Sequence, residues 1–83
     1  MDKQALYDGK LNQEYIIENI DIPDKNIKRR FFELGILPDK LIKILDKSIL
    51  KNVLLIEVDG LKLAVRSSFA KDIMVRVKWE IYY

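Results

Sequence analysis

Any chemistry on this chain falls to carboxylates and lysines, because its 83 residues include no histidine and no cysteine. Transition-metal sites rely on imidazole and thiolate ligands. Here a metal would meet only carboxylates, carbonyls, Met1, Met74 and water, so no bound metal or other cofactor is expected. Serine–histidine and cysteine–histidine catalysis are excluded, and no imidazole is present to act as general acid or base. The carboxylate pairs on offer are Asp21 with Asp24 and Glu57 with Asp59. Nothing in their spacing marks an acid–base pair. Glu57 and Asp59 share a strand face and could recruit a weak cation, but such a pair is ordinarily a solvated hairpin edge. The chain reads as a binder, not an enzyme.

Charge and composition narrow the kind of binder. The formal net charge is +2 and the pI about 8.9. Phosphate recognition shows as clustered basic surface, not a small surplus, so nucleic acid is not an expected partner. With 49% hydrophobic and 34% charged residues the chain is too apolar for disorder. Its length makes residues 1–83 one domain with a core just large enough to fold alone. The longest apolar run is Val53–Ile56, far short of the roughly 20 residues of a membrane-spanning helix. The opening MDKQALYDGK lacks the apolar centre of a signal peptide. A cytoplasmic location is expected.

The elements that must position any binding residues are organised around Asp24–Lys40. Ile27, Phe31 and Leu34 fall at i, i+4 and i+7, one apolar stripe on a short helix. Asp24 is suited to cap it, its carboxylate accepting from the free amides of the first turn. Gly35 occupies the position where helices end left-handed, and Ile36 can fold back onto Phe31. Pro38 forbids continuation.

Around that helix the pattern is β. Glu14–Ile20 reads as a strand with apolar residues on both faces, Tyr15/Ile17 on one and Ile16/Ile20 on the other, so its inward face is open. Leu41–Lys47 follows, with Ile42 and Ile44 opposite Lys43. Asn52–Val58 and Leu61–Arg66 flank Asp59-Gly60, a dipeptide suited to a type I′ hairpin turn. That loop pairs Val58 with Leu61, Ile56 with Leu63 and Leu54 with Val65, all six on one face, and sets Glu57 opposite Lys62. Ser67–Asp72 reads as a helical turn capped by Ser67 or Ser68. Ile73, Val75, Val77, Trp79 and Ile81 alternate with polar or flexible residues as the last strand. The lead, Met1–Lys10, is polar, with Leu6 and Tyr7 as anchors on one turn of helix. About five short strands, a helix after the first and a helical turn before the last make a mostly β fold. It must close into a small barrel or pack as two sheets.

Arg30-Phe31-Phe32-Glu33-Leu34-Gly35-Ile36-Leu37-Pro38 and Leu63-Ala64-Val65-Arg66-Ser67-Ser68-Phe69-Ala70-Lys71-Asp72-Ile73-Met74-Val75 together resemble the FeoA domain family of ferrous iron transport protein A. The resemblance spans about Leu6–Val77. It implies a small SH3-like β-barrel with helical insertions. It further implies a cytoplasmic accessory that binds and modulates the GTPase region of the ferrous iron transporter FeoB, reaching the membrane through that partner only. Similar domains end iron- and manganese-dependent repressors, which leaves a regulatory metal-sensing domain as an alternative. This sequence carries no helix-turn-helix region, which disfavours that context. A nucleic-acid-binding barrel is the other alternative, motivated by the basic helix. Phe31 stands where the family has Leu, Asp39 where it has Gly after the proline, and Gln13 where Gly is common. A type I turn is the expectation at Pro38-Asp39.

Five residues are candidate partner contacts: Lys28, Arg29, Phe32, Ile49 and Leu50. With Lys25 and Arg30, the first two make the helix basic, which would steer an acidic partner or simply form a solvated face. Phe32 lies roughly 140° from Ile27 around the helix, either an exposed anchor or packed beneath the lead near Leu6 and Tyr7. Ile49 and Leu50 sit in a loop where polar residues are usual, as a docking tip or a cover for the barrel end. Tyr82 and Tyr83 would be a homo-oligomer contact or a frayed end.

Overall fold

The Asp59-Gly60 turn sets the register of the sheet. In the computed structural model, which describes residues 3–78, both turn residues have positive φ, 51° and 82°. That is the backbone of a tight hairpin whose twist matches its strands. The strands it joins, β4 (Val53–Val58) and β5 (Leu61–Arg66), pair in the expected register, with Val58 opposite Leu61 and Glu57 opposite Lys62. Leu54, Ile56, Val58 and Val65 are buried and Leu63 packs against the core, but Leu61 remains exposed at the end of the hairpin. One of the six is therefore not core.

The remaining strands are β1 (Gln4–Ala5), β2 (Glu14–Ile20), β3 (Leu41–Ser48) and β6 (Ile73–Val77). All pair antiparallel in one sheet ordered β1-β6-β2-β3-β4-β5. This is the small SH3-like barrel fold, with six strands among the described residues where about five are expected. The additional one is β1, whose Gln4 and Ala5 pair with Val75 and Met74. Leu6 and Tyr7 then enter a 3-10 turn over Leu6–Asp8, and Leu6 is fully buried.

The open question about β2 is settled by a bulge. Ile17 pairs with Val75 and Asn19 with Met74, so two residues of β2 advance against one of β6. The extra residue shifts the alternation. Ile20 thereby joins Tyr15 and Ile17 on the buried face. The Tyr15 hydroxyl accepts from the Lys10 amide at 2.8 Å, so this buried phenol has its partner.

Helix α1 (Lys25–Glu33) has the predicted ends. The Asp24 carboxylate accepts from the amides of Asn26 and Ile27 at 2.9 and 3.2 Å. At the other end the Ile36 amide donates to the Phe31 carbonyl at 2.9 Å and the Gly35 amide to Phe32 at 3.0 Å. With Gly35 at φ 88° this is a Schellman stop. Ile36 and Phe31 are buried, Ile27 is half-buried, and Leu34 is exposed, so the stripe is narrower than its spacing implies.

Two other expectations are corrected, and one pair that holds in register makes no ion pair. Neither serine caps α2 (Ser67–Ala70): Arg66 is the capping residue, without a side-chain bond. The Ser67 amide instead donates to the Asn52 carbonyl at 2.7 Å. Glu57 and Lys62 face each other across the hairpin, but no ion pair joins them among the described residues; the three pairs present are Lys40–Asp59, Arg76–Glu18 and Lys78–Glu14. All three are partly exposed surface pairs of the kind that adds about 0–1 kcal/mol. Finally, Asp39 has φ 73°, so the Pro38-Asp39 turn is left-handed at its second residue and not type I. Two bonds to β2 hold it there, from the Asp39 amide to Ile17 at 2.7 Å and from the Ile17 amide to Lys40 at 2.9 Å. Trp79, Ile81, Tyr82 and Tyr83 lie outside the described residues.

Asp39 supplies a test. Asp39→Val should lower stability by about 1–2 kcal/mol, because a β-branched residue is disfavoured at positive φ. Asp39→Gly should stay within about 0.5 kcal/mol, relief of strain being offset by a more flexible unfolded chain. Urea midpoints at unchanged slope distinguish the two; equal midpoints would show that Asp39 is not held left-handed.

Candidate docking surface

β5 ends the strand order, and its outer edge has no strand partner among the described residues. Helix α1 stands beside it. Between them lies a largely apolar groove of about 270 Å³, lined by Ile27 and Phe31 of α1 with its C-cap Leu34, and by Leu63, Val65 and Phe69 across from them. Its base is set by Phe31, whose ring meets Phe69 edge-on at a centroid distance of 5.8 Å and 85°. Arg30 from the helix and Arg66 from the end of β5 add positive charge to the same lining. Local sequence explains the arrangement. The Schellman stop turns the chain inward at Ile36 and leaves Leu34, one residue before the glycine, facing solvent. The groove suits an apolar side chain carried on an acidic segment.

The five candidate contacts fall on two separate elements. Lys28, Arg29 and Phe32 are on α1; Ile49 and Leu50 form the tip of the turn from β3 to β4. Phe32 is 39% exposed and is not among the side chains packed on the core, so it does not lie beneath the lead. Its ring has the Lys28 ammonium over it at 5.9 Å. The ring of Tyr7 is instead approached by the ammoniums of Lys47 and Lys71, at 4.7 and 4.9 Å. Ile49 and Leu50 cover nothing, being among the most exposed apolar residues described. None of the six large apolar groove residues is read as surface from the sequence, where Ile27, Phe31 and Leu34 form the helix stripe and Leu63 and Val65 the common face of the hairpin. Leu34 carried a signal, its place beside the helix-stopping glycine, but its apolar spacing assigned it to the core.

Two polar depressions also lie among the described residues. One, about 260 Å³, gathers Glu14, Lys43, Glu57 and Asp59. Asp59 is paired there with Lys40 at 3.0 Å. Among the described residues no three acidic side chains come close enough to hold a metal ion. The other, about 730 Å³, is basic and lies beside the β3–β4 turn, with Lys51, Arg66 and Lys71 in its wall. No described helix is long and apolar enough to cross a membrane.

The sequence pattern of the FeoA domain matches residues 4–77. The chain belongs to the FeoA domain family. Its kinship is thus with ferrous iron transport. Solved structures of similar fold include the FeoA-like protein from Clostridium acetobutylicum, 24% identical with a TM-score of 0.79, the match covering all of this chain and 95% of that one. An iron uptake regulatory protein, FeoA, is 22% identical over 92% of this chain and 97% of its own, with a TM-score of 0.77. A manganese-dependent transcriptional repressor in complex with manganese matches at a TM-score of 0.85 and 19% identity, over 94% of this chain but only 38% of the repressor. At these identities the likenesses show a shared fold. No curated protein sequence matches this chain.

Proposed function

We propose that this FeoA-domain chain is a non-catalytic accessory of ferrous iron uptake that docks on the cytoplasmic GTPase domain of a FeoB-like transporter and modulates it by contact. The observation that carries this reading is the groove between α1 and β5, an apolar cleft with two arginines in its lining on a domain of this family. A protein with neither histidine nor cysteine has little other means of acting on iron than through a partner. The arginines would steer an acidic surface into register, and Leu34 with Phe31 would receive its apolar side chain.

Capture of the isolated GTPase domain on the immobilised chain tests this in both guanine nucleotide states. Leu34→Ser should weaken retention about tenfold, or about 1.4 kcal/mol. Arg30→Glu should slow association and steepen with falling salt, since charge acts mainly on encounter rate. Absence of retention of the parent chain in either nucleotide state would remove the proposal.

A further inference from the structure

The turn between β3 and β4 holds two aliphatic side chains in water. Ile49 is 78% exposed and Leu50 97%, whereas the other exposed large apolar residues described do not exceed 51%. Turns of this kind ordinarily carry small polar residues. The tip is also well tied. The Asn52 amide donates to the Ile49 carbonyl at 3.3 Å, and the Lys51 amide to the Ser48 hydroxyl at 3.3 Å. Asn52 takes φ 55°. Its carbonyl accepts the Ser67 amide at 2.7 Å, anchoring the turn to the start of α2.

Directly beside the tip is the basic depression, its wall including Lys51, Arg66, Lys71 and the two serines Ser67 and Ser68, with Asp72 the one acidic residue. None of the three cations enters an ion pair among the described residues. Convex aliphatics beside cations that have no carboxylate partner among the described residues, Lys71 resting on the Tyr7 ring at 4.9 Å, fit a bilayer with anionic headgroups. The side chains enter the boundary between headgroups and acyl chains while the cations stay with the phosphates. A protein hot spot is instead surrounded by contacts that exclude water, and Leu50 has Ile49 and Lys51 as its chain neighbours and almost nothing against it. Nucleic acid would use the cations but leave both aliphatics in water.

We propose that Ile49 and Leu50, with Lys51, Arg66 and Lys71, form a direct contact with anionic membrane surface. This goes beyond attachment through a transporter and stands independently of it. The test is cosedimentation of the full chain with vesicles of phosphatidylcholine alone and with about one-third phosphatidylglycerol added. Binding is expected to the anionic vesicles only, and to weaken when salt rises from about 50 to about 500 mM. Replacing the tip by Ile49→Ser with Leu50→Ser should weaken binding about tenfold. Lys51→Ala and Lys71→Ala should each weaken it about fivefold. The serine tip should leave the unfolding temperature unchanged, because these side chains have almost no contacts to lose. Failure of the parent chain to sediment with anionic vesicles at low salt would overturn the proposal, as would equal binding to neutral ones. So would a serine tip that binds as well as the parent. If the serine tip loses capture of the GTPase domain while vesicles are ignored by the parent, the tip is a protein contact, and the membrane proposal fails while the transporter reading stands.

Discussion

Leu6→Ala is expected to lower the thermal midpoint by about 10 °C or more. Removing a fully buried leucine costs about 2–5 kcal/mol, and each kcal/mol moves a domain of this size by about 4–8 °C. Leu6 has no exposed surface and belongs to the core with Tyr15, Ile44 and Val75. The strand before it pairs with Met74 and Val75, and its own carbonyl accepts the Gly9 amide at 2.8 Å. The turn is packed closely: a Cβ on Gly9 would stand 3.1 Å from both Ile44 and Tyr15. Such a site cannot easily collapse to fill a cavity. Leu11→Ala is the control, since Leu11 is half exposed and should shift stability by no more than about 0.5 kcal/mol. A Leu6→Ala midpoint within about 3 °C of the parent would mean that the lead is not part of the core.

Phe31→Ala and Leu34→Ala should separate by about 3 kcal/mol in urea unfolding, although both lie on one helical stripe. Phe31 is buried and its ring meets Phe69 edge-on, so truncation costs about 3–5 kcal/mol. Leu34 is 46% exposed, and its truncation should cost at most about 1 kcal/mol. The contrast matters for function. A binding defect at Leu34 in a chain of normal stability reports on the groove, whereas one at Phe31 confounds docking with unfolding. Equal costs would show that Leu34 is core after all, and the groove would lose its apolar wall.

How far the sequence could be read depended on the range of the interaction. Asp24, Gly35 and Asp59-Gly60 act on backbone within a few residues of themselves, and each does in the fold what its type predicts. Asp39 is instructive in the other direction. Its side chain permits either turn, and two bonds to β2 select the left-handed one. Period-two patterning likewise identified β2 but not its inward face, because the bulge after Ile17 is set by pairing with β6. The candidate surfaces were legible in part. Exposure of Phe32, Ile49 and Leu50 was one of two open readings for each, and nothing near them in sequence could choose.

By itself the sequence determined the hairpin register, both ends of the helix, the mostly β class and the absence of histidine and cysteine chemistry. These depend on residue type and on neighbours along the chain. Only the tertiary structure decided that Leu6 is core, that Leu34 and Leu61 are not, and that Ile49 and Leu50 stand in water beside a basic hollow. Burial is a property of what lies opposite a side chain, and apolar spacing specifies a face without specifying whether another element will cover it.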